Sequence, residues 1–317
     1  MKIQPEVAHT NGNWNYAAAV ETSITVIVTI ISPRFTRVTL VTMLIIAVAL
    51  AVASCQLHTI GAGALLFPSR HVTRTQAPDG CIDRKFPGDG VALTGWQCAA
   101  QTQPRRAVVV YLHGIADNRG GAAGMAPRFV SRGFDFIAYD SRAHGASEGE
   151  HCTYGYYEKH DLRRVMDEVG ADRVILIGHS LGAAVALQTA AIDPRVGAVV
   201  AAASFSDLRT VATERAPFIF SKRSIAGAFA RAEQDGRFRV DEVSPLRAAS
   251  AISVPVLLIH GEADHNTPPA HSSRIFEALR APKRLIVVPG GGHNNVLSGD
   301  IWRQIESWID SVLSSRG

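Results

Sequence analysis

The stretch "VILIGHSLGAAVALQTA", Val174 to Ala190, decides how the rest of the chain is read. Four apolar, mostly β-branched residues lead straight into Gly178-His179-Ser180-Leu181-Gly182. An alanine-rich segment follows with no polar linker. A short uninterrupted apolar run suits a strand buried on both faces, and the segment after Ser180 suits a helix. A serine between two glycines at such a junction is the pattern of a nucleophile elbow. The turn is so tight that the serine takes a strained backbone conformation. Side chains at 178 and 182 would collide with neighbouring backbone, so both are glycine. Ala183 and Ala184 let the helix lie close. The hydroxyl then projects over the helix N-terminus, where developing negative charge is favoured.

Further apolar runs repeat this theme. They are Ala107–Leu112, Phe134–Tyr139, Val196–Ala203, Val254–Ile259 and Leu285–Val288. Helix-like stretches separate or follow them: Ala123–Arg132, Tyr157–Val169, Ser180–Ala191 and Ile301–Leu313. "RKFPGDGVALTGWQCAA", Arg84 to Ala100, reads as a hairpin turning at Gly88-Asp89-Gly90. Alternation of this kind predicts an α/β fold: a mostly parallel central sheet with helices on both faces, and ligands beyond the carboxyl ends of the strands.

A serine hydroxyl needs a base to become a nucleophile, and the base needs an orienting acid. In such folds the chain order is serine, acid, histidine. "HGEADHNTP" after the strand at 254–259 offers Asp264. "PGGGHNN" after the strand at 285–288 offers His293, on a glycine-rich loop able to reach across. Asp207, in "SFSD" after the strand at 196–203, is the rival acid. The oxyanion hole would take backbone N–H groups from Leu181 and from Ile115, in the His113-Gly114-Ile115 loop after "VVVYL".

Bulk properties narrow the field. The 317 residues are 47% hydrophobic and 19% charged, enough for one large α/β domain or at most two small ones. Net charge is +4, with arginines scattered among acids and no dense basic run, so nucleic acid is not expected as a partner. The four cysteines, at 55, 81, 98 and 152, form no CxxC pair or Cys/His cluster. His265 and His271 flank Asp264 without a third spaced ligand, so no metal and no cofactor is expected.

The N-terminal region belongs to another solvent. "VTLVTMLIIAVALAVAS", Val38 to Ser54, is uncharged and follows Arg34 and Arg37. This is the layout of an export signal. Val52-Ala53-Ser54-Cys55 resembles a lipobox, in which Cys55 would carry diacylglycerol and hold the protein on a membrane. Ala51-Val52-Ala53 also reads as a cleavage site, giving a secreted protein, and the run is just long enough to remain as an anchor. A buried helix is the fourth reading. A second apolar stretch, Ser23–Ile31, is unusual for a signal. Residues 1–55 are therefore assigned to export or anchoring and 56–317 to the catalytic domain, facing outside the cytoplasm. There Cys81 and Cys98 form a disulfide across the hairpin or stay as two thiols, and Cys152 has no evident partner.

Taken in order, "YLHGIADNRGG", "YDSRAHGASEG", "GHSLGAAVA", "LLIHGEADHNTP" and "PGGGHNN" resemble the α/β-hydrolase superfamily over about residues 65–315. The chain is most similar to membrane-associated serine hydrolases related to the BEM46 group and the serine aminopeptidase-like hydrolases. The resemblance implies Ser180, Asp264 and His293 as a catalytic triad, with the Ile115 and Leu181 amides as oxyanion donors. It departs from the common D-x-R-G-x-G-x-S-x-G loop at Ala143, which replaces the first glycine. Specificity is expected in an insertion at about 207–250, read as a helical cap. There Phe218, Ile219 and Phe220 line an acyl channel or fill the cap core. Hydrolysis of small-molecule or lipid-like acyl esters is the first expectation. Amides or thioesters come second, and a non-catalytic binding module is the alternative of another class.

Overall fold

The computed structural model describes residues 33–314, with side chains for 38–49 and 56–314. The Ser23–Ile31 stretch and the Cys55 side chain lie outside the described residues. The chain divides into two units, between Gln56 and Leu57. What is described of the first is part of helix α1, Pro33–Leu66. Along it residues 38–49 are all exposed, including Leu40, Met43, Leu44 and Ile45. Among the described residues no helix is long and apolar enough to cross a membrane.

The second unit is built on eight strands: β1 Cys81–Pro87, β2 Ala92–Cys98, β3 Ala107–Leu112, β4 Phe134–Tyr139, β5 Val174–His179, β6 Val196–Ala202, β7 Val256–Gly261 and β8 Lys283–Val288. They form one sheet in the order β1-β2-β4-β3-β5-β6-β7-β8. The β1–β2 and β2–β4 pairs are antiparallel; every pair from β4 to β8 is parallel. Cys81 and Cys98 are register partners at the start of the hairpin and are joined by a disulfide. Cys152 is a buried free thiol.

Uninterrupted apolar strands have this consequence: alternate side chains enter two separate cores. Val108, Val110 and Leu112 of β3 pack on one face, and Val109 and Tyr111 on the other. Against the first face lie α3, Glu158–Glu168, and α4, Leu181–Ala190. All ten residues of α4 are buried, which its alanines make possible by letting a helix approach the sheet closely. Against the second face lie α2, Ala126–Val130, and α9, Asp300–Ser314. The apolar stripe of α9, Ile301, Trp302, Ile305, Ile309 and Val312, has helical spacing. The predicted helix at 123–132 is shorter than expected, Ala126–Val130, with turns at 123–125 and 131–133 on either side of it.

The insertion is helical, as read: α5 Leu208–Glu214, α6 Lys222–Gly236, a 3₁₀ turn at Val240–Glu242 and α7 Pro245–Ala249. Phe218 and Ile219 do not form its core. They are 99% and 59% exposed, because the Pro217 turn between α5 and α6 points them to solvent. Helix α8, Ala270–Ala278, was not marked in the sequence. The last turns of α1 are part of this unit: Ala62 and Leu66 are buried in its core.

Candidate active site

Strands β5, β7 and β8 end on one rim, with Gly178 beside Ala201 of β6, and Gly261 beside Val288. Ser180 follows β5 with φ 51° and ψ −112°, a strained conformation for a residue with a side chain. The flanking glycines explain the turn. A Cβ at Gly178 would lie 2.3 Å from the Gly182 carbonyl oxygen, and one at Gly182 would lie 2.1 Å from that of Leu112.

The structure brings Ser180, His293 and Asp264 together. The Ser180 hydroxyl donates to His293 Nε2 at 2.9 Å, and His293 Nδ1–H donates to Asp264 Oδ2 at 2.7 Å. Asp264 is almost fully buried and its carboxylate is fully engaged. Oδ1 accepts the Asn266 and Thr267 N–H groups at 2.9 and 2.8 Å. Burial pushes this carboxyl up, but hydrogen bonds from His260, His293 and the Thr267 N–H outweigh it and hold it well below the usual range. Asp207, the rival acid, is taken up elsewhere: it accepts the Ser244 hydroxyl at 2.6 Å.

Two buried histidines, His260 and His113, and the partly buried His179 hold this arrangement. His260 Nε2–H donates to the Thr267 carbonyl at 2.7 Å and lies 3.3 Å from Asp264 Oδ2, while Nδ1 accepts the Ser272 hydroxyl at 2.6 Å. That fixes one tautomer and places a donor behind the carboxylate. His179 Nε2–H donates to the His293 carbonyl at 2.8 Å, tying the elbow to the loop that carries His293; burial lowers its basicity. His113 accepts the Ser141 N–H at Nε2 and donates from Nδ1 to the Gly114 carbonyl, fixing the loop that carries Ile115. Burial also lowers the basicity of His113. The only sequence signal for these roles is position, since each lies at or just beyond a strand's carboxyl end.

Among the described residues, the N–H groups of Ile115 and Leu181 donate to no protein acceptor. Leu181 opens α4, where the first N–H groups have no intrahelical partner. The open cleft around Ser180 has a volume of about 850 Å³ and is lined by Gly114, Asp117, Arg215, His265, Asn266 and Asn294, among others. His271 does not face it as a ligand; its Nε2–H donates to Glu214 at 2.8 Å and its Nδ1 accepts the Ser206 N–H. The arrangement can deprotonate a hydroxyl, hold the resulting imidazolium and present free N–H groups beside it.

Known proteins share this plan. The family described as alpha/beta hydrolase fold matches residues 107–220. YfhR of Escherichia coli (strain K12) is 29% identical over 239 residues, 72% of this chain and 78% of the relative. YqkD of Bacillus subtilis (strain 168) is 31% identical over 216 residues, 64% of this chain and 70% of the relative. Among solved structures, the Pyrococcus furiosus esterase PF2001 superposes with a TM-score of 0.61 at 21% identity, covering 79% of this chain and 98% of that one. The chain belongs to the α/β-hydrolase superfamily. Hydrolase is the class of protein that this family membership supports.

Proposed function

We propose that the protein is a serine hydrolase that cleaves carboxylic esters through an acyl-enzyme. The observation that carries this reading is the unbroken hydrogen-bond chain from Ser180 through His293 to a buried, ionised Asp264. His293 takes the hydroxyl proton as Ser180 Oγ attacks the ester carbonyl. The Ile115 and Leu181 N–H groups receive the oxyanion. His293 then passes the proton to the departing alkoxide, the C–O bond breaks, and the acyl group remains on Ser180. Water, deprotonated by His293, attacks the acyl-enzyme; the acyl C–Oγ bond breaks, His293 returns the proton to Ser180, and the acid leaves. Asp264 fixes the His293 tautomer and stabilises its cationic form. The exposed apolar residues 38–49 support a second part of the proposal, that the N-terminal segment holds the enzyme at a membrane outside the cytoplasm.

Ser180→Ala tests the chemistry. Hydrolysis of p-nitrophenyl acetate and labelling by a fluorophosphonate are expected to fall by at least about 10³-fold, with an unaltered circular dichroism spectrum. A variant that keeps its activity overturns the reading.

A further inference from the structure

A second cavity, of about 340 Å³, adjoins the Ser180 cleft. The two share Ile115 and Arg215 in their linings. One wall of the second cavity is the end of α1, with Ala64 and Leu65. The facing walls are Val211 and Ala212 of α5, Phe220 of the connecting loop and Phe229 of α6. The helices are close: a Cβ on Gly61 would lie 2.7 Å from the Ala228 Cβ. Ala62 and Leu66, one turn apart, bind α1 into the core, so the neighbouring face of the same helix is presented to the cavity.

The lining is almost wholly apolar, and its two polar side chains, Tyr154 and Arg215, are both hydrogen-bonded to the protein. The Tyr154 hydroxyl donates to the Leu65 carbonyl at 3.0 Å. Arg215 donates to the Asn266 carbonyl at 2.6 Å and to the Thr267 hydroxyl at 2.5 Å. A polar substituent entering here would lose its hydration without replacement, whereas methylenes would gain by leaving water. The Ser180 cleft is mixed instead, with Asp117, His265, Asn266 and Asn294 around it beside Ile115, Ala116 and Pro268.

We propose that this cavity receives the acyl chain of the substrate and the Ser180 cleft receives the leaving group. The substrate class is therefore an amphiphilic monoester: one apolar acyl chain on a polar alcohol. This rests on the serine-esterase reading. Ile115 joins the two halves, since its N–H is an oxyanion donor and the residue lines both cavities. At roughly 30 Å³ per methylene, close to water's share of the liquid, 340 Å³ holds a chain of roughly ten carbons. Phe220 is the one member of the Phe218–Phe220 group that meets the chain.

The test uses the full chain in mild detergent with p-nitrophenyl esters from acetate to palmitate. kcat/KM is expected to rise about fourfold per added methylene until the cavity is full near decanoate, and to rise no further. Ala212→Trp and Ala64→Trp fill it from opposite walls. Each is expected to lower the decanoate-to-acetate ratio of kcat/KM by at least thirtyfold. Decanoate binding to the Ser180→Ala chain, followed by calorimetry, gives a readout without turnover, and the tryptophan variants should abolish it. If no ester is cleaved but decanoate binds and tryptophan displaces it, the acyl cavity stands and the ester reading falls. A length profile indifferent to both tryptophans, or decanoate binding that survives them, overturns the proposal.

Discussion

Gly261→Ala puts the positioning of His293 to a sharp test. Gly261 ends β7, and a Cβ there would lie 2.2 Å from the Gly291 carbonyl oxygen and 2.9 Å from that of Gly292. Both belong to the loop that leads into His293. Ordinary contact begins near 3.4 Å, so Gly291 must retreat by about 1 Å. The Ala263 N–H to Gly291 carbonyl bond, 2.8 Å long, must stretch with it. The displacement passes two residues on to an imidazole whose bonds to Ser180 and Asp264 are 2.9 and 2.7 Å. A misplacement of about 1 Å at a reacting group costs about 10²-fold. Overpacking of this kind costs about 1–3 kcal/mol of stability, against the roughly 5–15 that a domain has. Steady-state kinetics with p-nitrophenyl acetate should therefore show kcat down about 10²-fold in a protein that still melts cooperatively. A kcat within threefold of the parent would refute the claim that close approach of these loops sets the histidine.

Other substitutions test separate parts of the fold. Ala143 stands where relatives of the motif carry glycine, and its φ is 61°; Ala143→Gly should relieve that strain and stabilise by about 1 kcal/mol, read from the urea midpoint. His144 is fully buried, and burial, followed by the charge of His113, pushes its imidazole down to about 4. The unfolded chain takes up this proton near 6.5 and the folded chain only near 4, so stability falls as pH drops through that window. From pH 7 to 5 the loss from this group is about 2 kcal/mol, and it should vanish from the pH dependence of His144→Phe. Reduction of Cys81–Cys98, which closes a separation of 17 residues, should cost about 3 kcal/mol and lower the melting temperature in dithiothreitol; Cys81→Ser should lose that sensitivity.

The sheet is legible in the sequence wherever a strand is buried on both faces. "AVVVYL" and "VILI" can satisfy no other environment of that length, and the structure extends the latter to His179. The elbow is legible because Gly178 is required by the backbone of Gly182 only four residues away, although the contact that demands Gly182 comes from Leu112 on β3. The contact that demands Gly261 comes from Gly291, thirty positions on, and nothing local announces it. His260, His179 and His113 are opaque for a related reason. A histidine held by hydrogen bonds inside the fold has the same sequence signature whether its partners are scaffold or site. The wall made by Ala64 and Leu65 is hidden differently. Its residues continue an apolar helix whose upstream part is read as belonging to a membrane, so the point where the helix changes solvent is invisible in composition.

That change of role within α1 sets a limit on how the chain can be trimmed. Cleavage before Cys55 would leave the last helical turns on the mature enzyme, with Ala62 and Leu66 still seated as a plug in the core. A cut a dozen residues later would remove that plug together with one side of the second cavity. The remaining catalytic groups would keep their bonds around Ser180 but face an unroofed trough. If the proposed leader is removed before Cys55, the last turns of α1 stay with the folded unit, and a shortened chain that keeps the second cavity intact begins no later than Leu57.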